Sequence, residues 1–80
     1  MIQVLMVDDD PVIMELTKIF LEKFGDIKVD PVSSAIAAGK RLSAGSPHYD
    51  VIVSDYAMPE MDGITFLRAV RERDPEIPFI

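Results

Sequence analysis

The chain has 80 residues, about half of them apolar, with a formal net charge of −6 and no cysteine. This length predicts a single globular domain, and the apolar fraction excludes a disordered chain. The lack of cysteine excludes a disulfide framework and a thiolate metal site, and the acidic balance argues against direct nucleic-acid binding. No run is apolar enough to cross a membrane, and the start resembles no secretory leader, so a cytoplasmic protein is the simplest interpretation.

The first third of the chain predicts a strand followed by a helix. Residues 3–7, QVLMV, form an apolar run that indicates a strand buried on both faces. Asp10 and Pro11 then predict a helix start, and Gly25 predicts its end after about residue 24. The helical spacing of the apolar residues predicts one stripe, made of Val12, Ile13, Leu16, Ile19, Phe20 and Phe24.

The rest of the chain repeats this alternation. Residues 27–29 predict a short edge strand, and residues 34–44 predict a helix that begins at Ser33 or Ser34 and is weakened by Gly39. Residues 51–54, VIVS, predict a central strand, and residues 63–73 predict a third helix. In that helix, Ile64, Leu67 and Val70 are expected to point inward, with Phe66 to one side. The final Phe79 and Ile80 indicate the beginning of a fourth strand.

The order of elements predicts an α/β fold, a doubly wound parallel sheet with right-handed crossovers and helices on both faces. Ligands of such sheets bind beyond the carboxyl ends of the strands. Asp8 and Asp9 follow the first strand and Asp55 follows the third. If these strands are neighbours, three carboxylates meet, and charges about 4 Å apart repel by roughly 4 kcal/mol at an effective dielectric of 20. Such a cluster is costly unless one acid is protonated or a cation binds, and Mg²⁺ prefers oxygen ligands of this kind.

Two segments also resemble a known family. VLMVDDDP (residues 4–11) and VIVSDYAMPEMDG (residues 51–63), with the spacing between them, resemble the receiver domain of two-component response regulators, which has a flavodoxin-like fold. The resemblance implies that Asp55 is the phosphoacceptor, a nucleophile that receives a phosphoryl group from a sensor histidine kinase or a phosphotransfer protein. It implies direct Mg²⁺ binding by Asp9 and Asp55, binding through water by Asp8, and a backbone carbonyl ligand at Ala57.

Three further expectations follow from the residues beside Asp55 and from the extent of the resemblance. Tyr56 and Met58, which flank the site, are expected to tune access to it. Residues 1–80 match the N-terminal two thirds of a receiver domain, so the chain is expected to be a truncated module. The switch Ser or Thr and the Lys of the family lie beyond this portion, which predicts impaired phosphorylation. A truncated sheet with an exposed edge beside residues 51–54 also predicts that the chain either self-associates or is the ordered part of a longer protein.

Two alternatives stay open on the residues alone. The first is an Mg²⁺-dependent phosphohydrolase with an aspartyl nucleophile. Such enzymes usually place a second acid two residues after the nucleophile, where this chain has Ala57. The second is a non-catalytic assembly module, against which the intact set of acids argues. The favoured interpretation is a phosphorylatable regulator that catalyses only its own phosphoryl transfer and dephosphorylation, and is not an enzyme acting on a separate substrate.

Overall fold

The computed structural model describes residues 1–45, 48–55 and 63–80, in which strands and helices alternate. The elements are β1 (Ile2–Val7), α1 (Pro11–Glu22), β2 (Ile27–Val32), α2 (Ala35–Ala44), β3 (Val51–Ser54) and α3 (Gly63–Arg73). The strands form a parallel sheet in the order β2-β1-β3. The predicted α/β architecture is confirmed, and the bounds of β3 and α3 agree with the expectation from sequence.

The strand β3 has partners on both of its sides. Along β1 it pairs from Val4↔Val51 to Val7↔Ser54. On the other side Ile52 forms a parallel bridge with Phe79, and the Ile52 amide donates to the Pro78 carbonyl at 2.9 Å. The predicted beginning of a fourth strand is therefore present, and β3 lies inside the sheet as its apolar sequence indicates.

Local side-chain chemistry fixes the start of helix α1. The Asp10 carboxylate accepts hydrogen bonds from the backbone amides of Val12 and Ile13 at 3.0 and 3.2 Å. These amides have no partner inside the helix, and Pro11 needs none, so the Asp-Pro pair suits a first turn. In the same way, the hydroxyl of Ser34 caps α2 by accepting from the Ala37 amide at 3.1 Å.

Helix α1 ends earlier than the sequence predicts, at Glu22 instead of about residue 24. The amide of Phe24 donates to the Leu21 carbonyl at 3.2 Å, and that of Gly25 donates to the Glu22 carbonyl at 3.1 Å. These bonds span three residues, so the last turn tightens and the regular helix stops. Gly25 then adopts a φ of 90°, in the left-handed region that glycine enters without strain.

The helices cover both faces of the sheet, as predicted, and each face has its own core. Against α2 and α3 the buried residues are Leu5, Val7, Val32, Ala35, Ala38, Tyr49, Ile52, Phe66, Val70 and Ile77. Against α1 they are Val4, Met6 and Val29. The two sets alternate along β1, because successive side chains of a strand point to opposite faces.

The predicted orientation of α3 is partly wrong. Val70 is buried as expected, but Phe66 is also buried, with only 2% of its surface exposed, whereas Ile64 is 50% exposed. Phe66 and Val70 are four residues apart and so lie about 40° apart around a helix of 3.6 residues per turn. Phe66 enters the core beside Phe79, with ring centroids 5.6 Å apart.

The predicted apolar stripe of α1 exists, but it faces away from the sheet. Each of its six side chains is about half exposed or more, from 48% for Ile13 to 68% for Phe24. The face of α1 that packs on the sheet instead carries Met14 and Leu21. Because both faces of the helix are apolar, periodicity alone does not show which one turns inward.

The strand β2 is longer than predicted, extending from Ile27 to Val32 and including Pro31. A proline has no amide to donate, so its presence suggests that the strand has ended. Here β2 is an edge strand, and Pro31 occupies a position whose backbone points away from β1. The missing donor therefore removes no hydrogen bond from the ladder.

Candidate functional site

The pairing of β1 with β3 brings the acids that follow each strand to the same end of the sheet. The pair begins at Gln3, whose carbonyl accepts from the Asp50 amide and whose amide donates to the Asp50 carboxylate, both at 2.8 Å. It ends where the Asp55 amide donates to the Val7 carbonyl at 2.9 Å. Asp8, the residue after Val7, therefore lies beside Asp55.

Three carboxylates converge at this end of the sheet. Oxygen atoms of Asp8, Asp9 and Asp55 all lie within 4.8 Å of one another. Asp8 and Asp55 are half-buried and Asp9 is exposed, so the cluster opens towards solvent on one side. Their mutual repulsion favours a bound cation, and a set made only of carboxylate oxygens fits a hard ion such as Mg²⁺.

The neighbouring backbone positions these acids. One carboxylate oxygen of Asp8 accepts from the Asp10 amide at 2.9 Å, and the Asp8 amide donates to the Val32 carbonyl at 3.2 Å. On the other strand, the Ser54 hydroxyl donates to the Asp55 carbonyl at 3.0 Å. Of the three consecutive acids, Asp8 and Asp9 join the cluster while Asp10 caps α1. Their roles differ because Asp10 directly precedes the first helical residue.

Three of the residues singled out from the sequence cannot be placed. Tyr56, Ala57 and Met58 lie outside the described residues. The backbone carbonyl ligand at Ala57 and the access role of Tyr56 and Met58 therefore stay predictions.

A second polar cluster, which the sequence does not suggest, lies away from the acids. The carboxylate of Asp30 accepts hydrogen bonds from the Tyr49 hydroxyl and the Arg41 guanidinium. Burial acts to raise the pKa of Asp30, but these two hydrogen bonds and the positive charges of Arg41 and Lys18 together outweigh it and hold the pKa below its usual value. Burial and the bond to Asp30 raise the pKa of Tyr49. This cluster ties β2, α2 and the segment before β3 together, and we assign it a structural role.

Comparisons with known proteins agree with this architecture. A family model for the response regulator receiver domain matches residues 4–80. The chain is 41% identical over 71 residues to the response regulator Rre1 of Synechocystis sp., in an alignment that covers 89% of this chain and 30% of that protein. It is 41% identical over 80 residues to a protein-glutamate methylesterase/protein-glutamine glutaminase of Rhodopseudomonas palustris, covering 99% of this chain and 21% of that protein. The chain thus spans under a third of these relatives.

Solved structures share the fold. A response regulator receiver domain protein from Clostridium thermocellum superposes with a TM-score of 0.91 at 25% identity, covering 99% of this chain and 62% of that one. The response regulator TrrA from Thermotoga maritima, solved with Mg²⁺ and BeF, superposes with a TM-score of 0.85 at 31% identity. The match covers 94% of this chain and 63% of that one. A chain in the complex of the histidine kinase ThkA with TrrA superposes with a TM-score of 0.88 at 29% identity. The match covers 99% of this chain and 66% of that one.

These findings confirm the predicted family and its flavodoxin-like fold. Within the described ranges, no helix is long and apolar enough to span a membrane. Since the family model covers almost the whole chain and the sheet superposes on those of solved receiver domains, this protein belongs to the response regulator receiver domain family of two-component signalling.

Proposed function

We propose that this chain accepts a phosphoryl group on Asp55 with the assistance of Mg²⁺. The convergence of Asp8, Asp9 and Asp55 at the ends of two neighbouring strands carries the proposal. An isolated cluster of acids would be weak support, because exposed acids often gather without an ion. Here the cluster lies in a receiver-domain fold, and the related TrrA was solved with Mg²⁺ and BeF.

Each acid has a distinct part in the proposed reaction. Asp9 and Asp55 would hold the ion directly, Asp8 would hold it through water, and the carbonyl of Ala57 would complete the protein ligands. When bound, Mg²⁺ supplies positive charge that offsets the repulsion between a carboxylate and the incoming phosphoryl oxygens. An Asp55 carboxylate oxygen forms the new bond to phosphorus. The bond from phosphorus to the donor's imidazole nitrogen breaks, and its electron pair stays on that nitrogen.

The proposed phosphodonor is a sensor histidine kinase or a phosphotransfer protein. The structure that pairs TrrA with a histidine kinase supports a kinase partner for this fold. A cytoplasmic location, which the lack of cysteine favours, is part of the same proposal. We also propose that residues 1–80 act as the N-terminal part of a receiver domain and that any reaction on a separate substrate, as in methylesterase relatives, belongs to other segments.

Magnesium titration tests the metal half of the proposal. In nuclear magnetic resonance spectra, Mg²⁺ should shift the amides of Asp8, Asp9 and Asp55. Asp9→Asn should weaken binding roughly ten- to a hundredfold, a loss already typical of groups that merely orient metal ligands. The matched control is Asp10→Asn, which removes the same charge one residue away and keeps a good helix cap. Equal weakening by both variants would mean that general negative charge, and not a site, binds the ion.

Phosphorylation tests the other half. Incubation with a small acyl phosphate and Mg²⁺ should add one phosphoryl mass to the chain. Asp55→Asn should abolish the labelling, whereas Asp10→Asn should retain it. Labelling that persists in Asp55→Asn, or that proceeds equally well without Mg²⁺, would contradict the proposal.

A further inference from the structure

The outer edge of β2 is where a second chain could add a strand to this sheet. Hydrogen bonds to the carbonyls of Asp26 and Val32, from the amides of Ile2 and Asp8, show which backbone groups face β1. By the alternation of a parallel ladder, the groups of Ile27, Val29 and Pro31 point the other way. Such outward amides and carbonyls are a template for pairing with another chain.

The middle of this edge is already occupied by two side chains of α1. The carboxylate of Glu22 accepts from the Val29 amide at 2.9 Å, and the ammonium of Lys18 donates to the Val29 carbonyl at 2.9 Å. The two side chains also pair with each other at 3.3 Å, one helical turn apart. Together they provide the acceptor and the donor that a neighbouring strand would offer.

The charge state of the pair suits this arrangement. The hydrogen bond from the Val29 amide is the largest influence that lowers the pKa of Glu22, with the neighbouring lysines adding to it. Glu22 therefore stays ionised at neutral pH and acts only as an acceptor, as the Val29 amide requires.

The remainder of the edge is a poor template. Pro31 has no amide, so a strand arriving there finds no donor. Among the outward residues of β2, only Ile27 keeps both backbone groups without a side-chain partner in the described part of the chain. A new strand would therefore need the groups of Val29.

We propose that Lys18 and Glu22 form an edge clip, which prevents a second copy of this chain from adding its own β2 strand to the outer edge of β2. The sequence predicts self-association at the sheet edge beside β3, whereas the clip acts at the opposite edge, along β2. The inference does not depend on phosphorylation, because neither residue belongs to the acid cluster.

Alanine substitution of the pair provides the main test. In Lys18→Ala/Glu22→Ala, sedimentation velocity over a range of concentrations should show a dissociation constant for self-association roughly tenfold or more below that of the unmodified chain, since two backbone groups become available. The matched control is Glu15→Ala/Lys23→Ala, which removes one acid and one base from exposed positions beside them and leaves the net charge unchanged. Equal association of both variants would overturn the proposal.

Two further variants separate edge blocking from simple loss of an ion pair. Lys18→Glu/Glu22→Lys keeps both charges but places them against the wrong backbone groups, so it should self-associate as the double alanine variant does. Adding Ile27→Pro to the double alanine variant removes another outward amide of the same edge and should weaken the association of that variant. Association that Ile27→Pro leaves undiminished would use a different surface and would contradict the proposal.

Hydrogen exchange gives a test that needs no variant and no change in folding. In the unmodified chain the Val29 amide should exchange at least about tenfold more slowly than the Ile27 amide, because only the former donates to a side chain. Equal exchange of the two amides would show that the clip is open in solution.

Discussion

The two faces of the sheet differ in how completely they are covered. In the described residues, ten buried side chains form the core against α2 and α3, whereas three form the core against α1. Two helices converge on the first face, where Phe66 of α3 and Ile52 of β3 are almost fully buried. On the second face α1 lies mainly on β2, and the side chains of Val51 and Val53 stay half-buried.

This difference shows what an apolar pattern establishes. The α1 stripe repeats at helical spacing, yet Phe20 and Phe24 stay more than half exposed and pack edge to face on each other, with ring centroids 5.5 Å apart. A helix that is apolar on both sides is typical of one that is buried on both sides. The pattern therefore indicates that a surface favours burial, but it does not identify what buries it.

The largest expected effect contrasts one phenylalanine from each face. Phe66→Ala should lower the free energy of unfolding by about 3 to 5 kcal/mol, because it leaves a cavity in the closed core. Phe20→Ala makes the same chemical change on the exposed stripe and should alter stability by less than about 1 kcal/mol. Urea denaturation followed by circular dichroism measures both. Similar losses for the two variants would mean that the stripe is buried in solution.

A smaller effect concerns the polar cluster at the rim of the closed face. Tyr49→Phe removes a hydrogen bond to an ionised carboxylate and should destabilise the chain by about 1.5 to 3 kcal/mol at neutral pH. The folded-state pKa of Asp30 is lowered, so its stabilising contribution is present above its unfolded pKa and is lost as the pH falls through the folded pKa.

The pH dependence gives the corresponding check. Without Tyr49 the pKa of Asp30 rises towards its unfolded value, so Tyr49→Phe should lose less stability than the unmodified chain between about pH 5 and pH 3. Asp30→Asn should remove this contribution altogether. Parallel stability curves for all three proteins would show that Asp30 is not bonded to Tyr49 in solution.

The smallest expected effect concerns the start of α1 on the open face. Asp10→Ala should lower the free energy of unfolding by about 1 kcal/mol, since it leaves the amides of Val12 and Ile13 without their side-chain acceptor. Asp10→Asn should lower the free energy of unfolding by only a few tenths of a kcal/mol, because asparagine caps a helix about equally well. Thermal unfolding of the two variants measures the difference. A loss as large as that of Phe66→Ala would show that α1 contributes more to stability than its thin packing indicates.

Most of the fold follows from local sequence signals. Three element boundaries are specified by nearby groups, and the structure agrees with each of them. They are the start of α1 at Asp10 and Pro11, the start of α2 at Ser34, and the strand at residues 51–54. The errors lie where a distant contact decides the outcome. Phe66 packs inward against Phe79, and β2 continues past residue 29 with Pro31 facing the free edge, where its missing amide breaks no pairing.

The candidate site divides in the same way. Asp8, Asp9 and Asp55 come together because β1 and β3 are neighbours, a strand order that the alternation of strands and helices leaves open and the family resemblance implies. The contacts of Lys18 and Glu22 with Val29 do not follow from any local pattern. They require α1 to lie over β2 at one particular offset, which depends on packing and not on a motif.

The contacts between Asp50 and Gln3 have a consequence for how this protein can change in length. As many residues separate Gln3 from Asp8 as separate Asp50 from Asp55, so the two strands reach the acid cluster in step. A deletion in one strand alone would reverse the facing of every later side chain and shift one acid by about 3.3 Å. Insertions are therefore better tolerated in the helices and connections, whereas β1 and β3 must lengthen or shorten together.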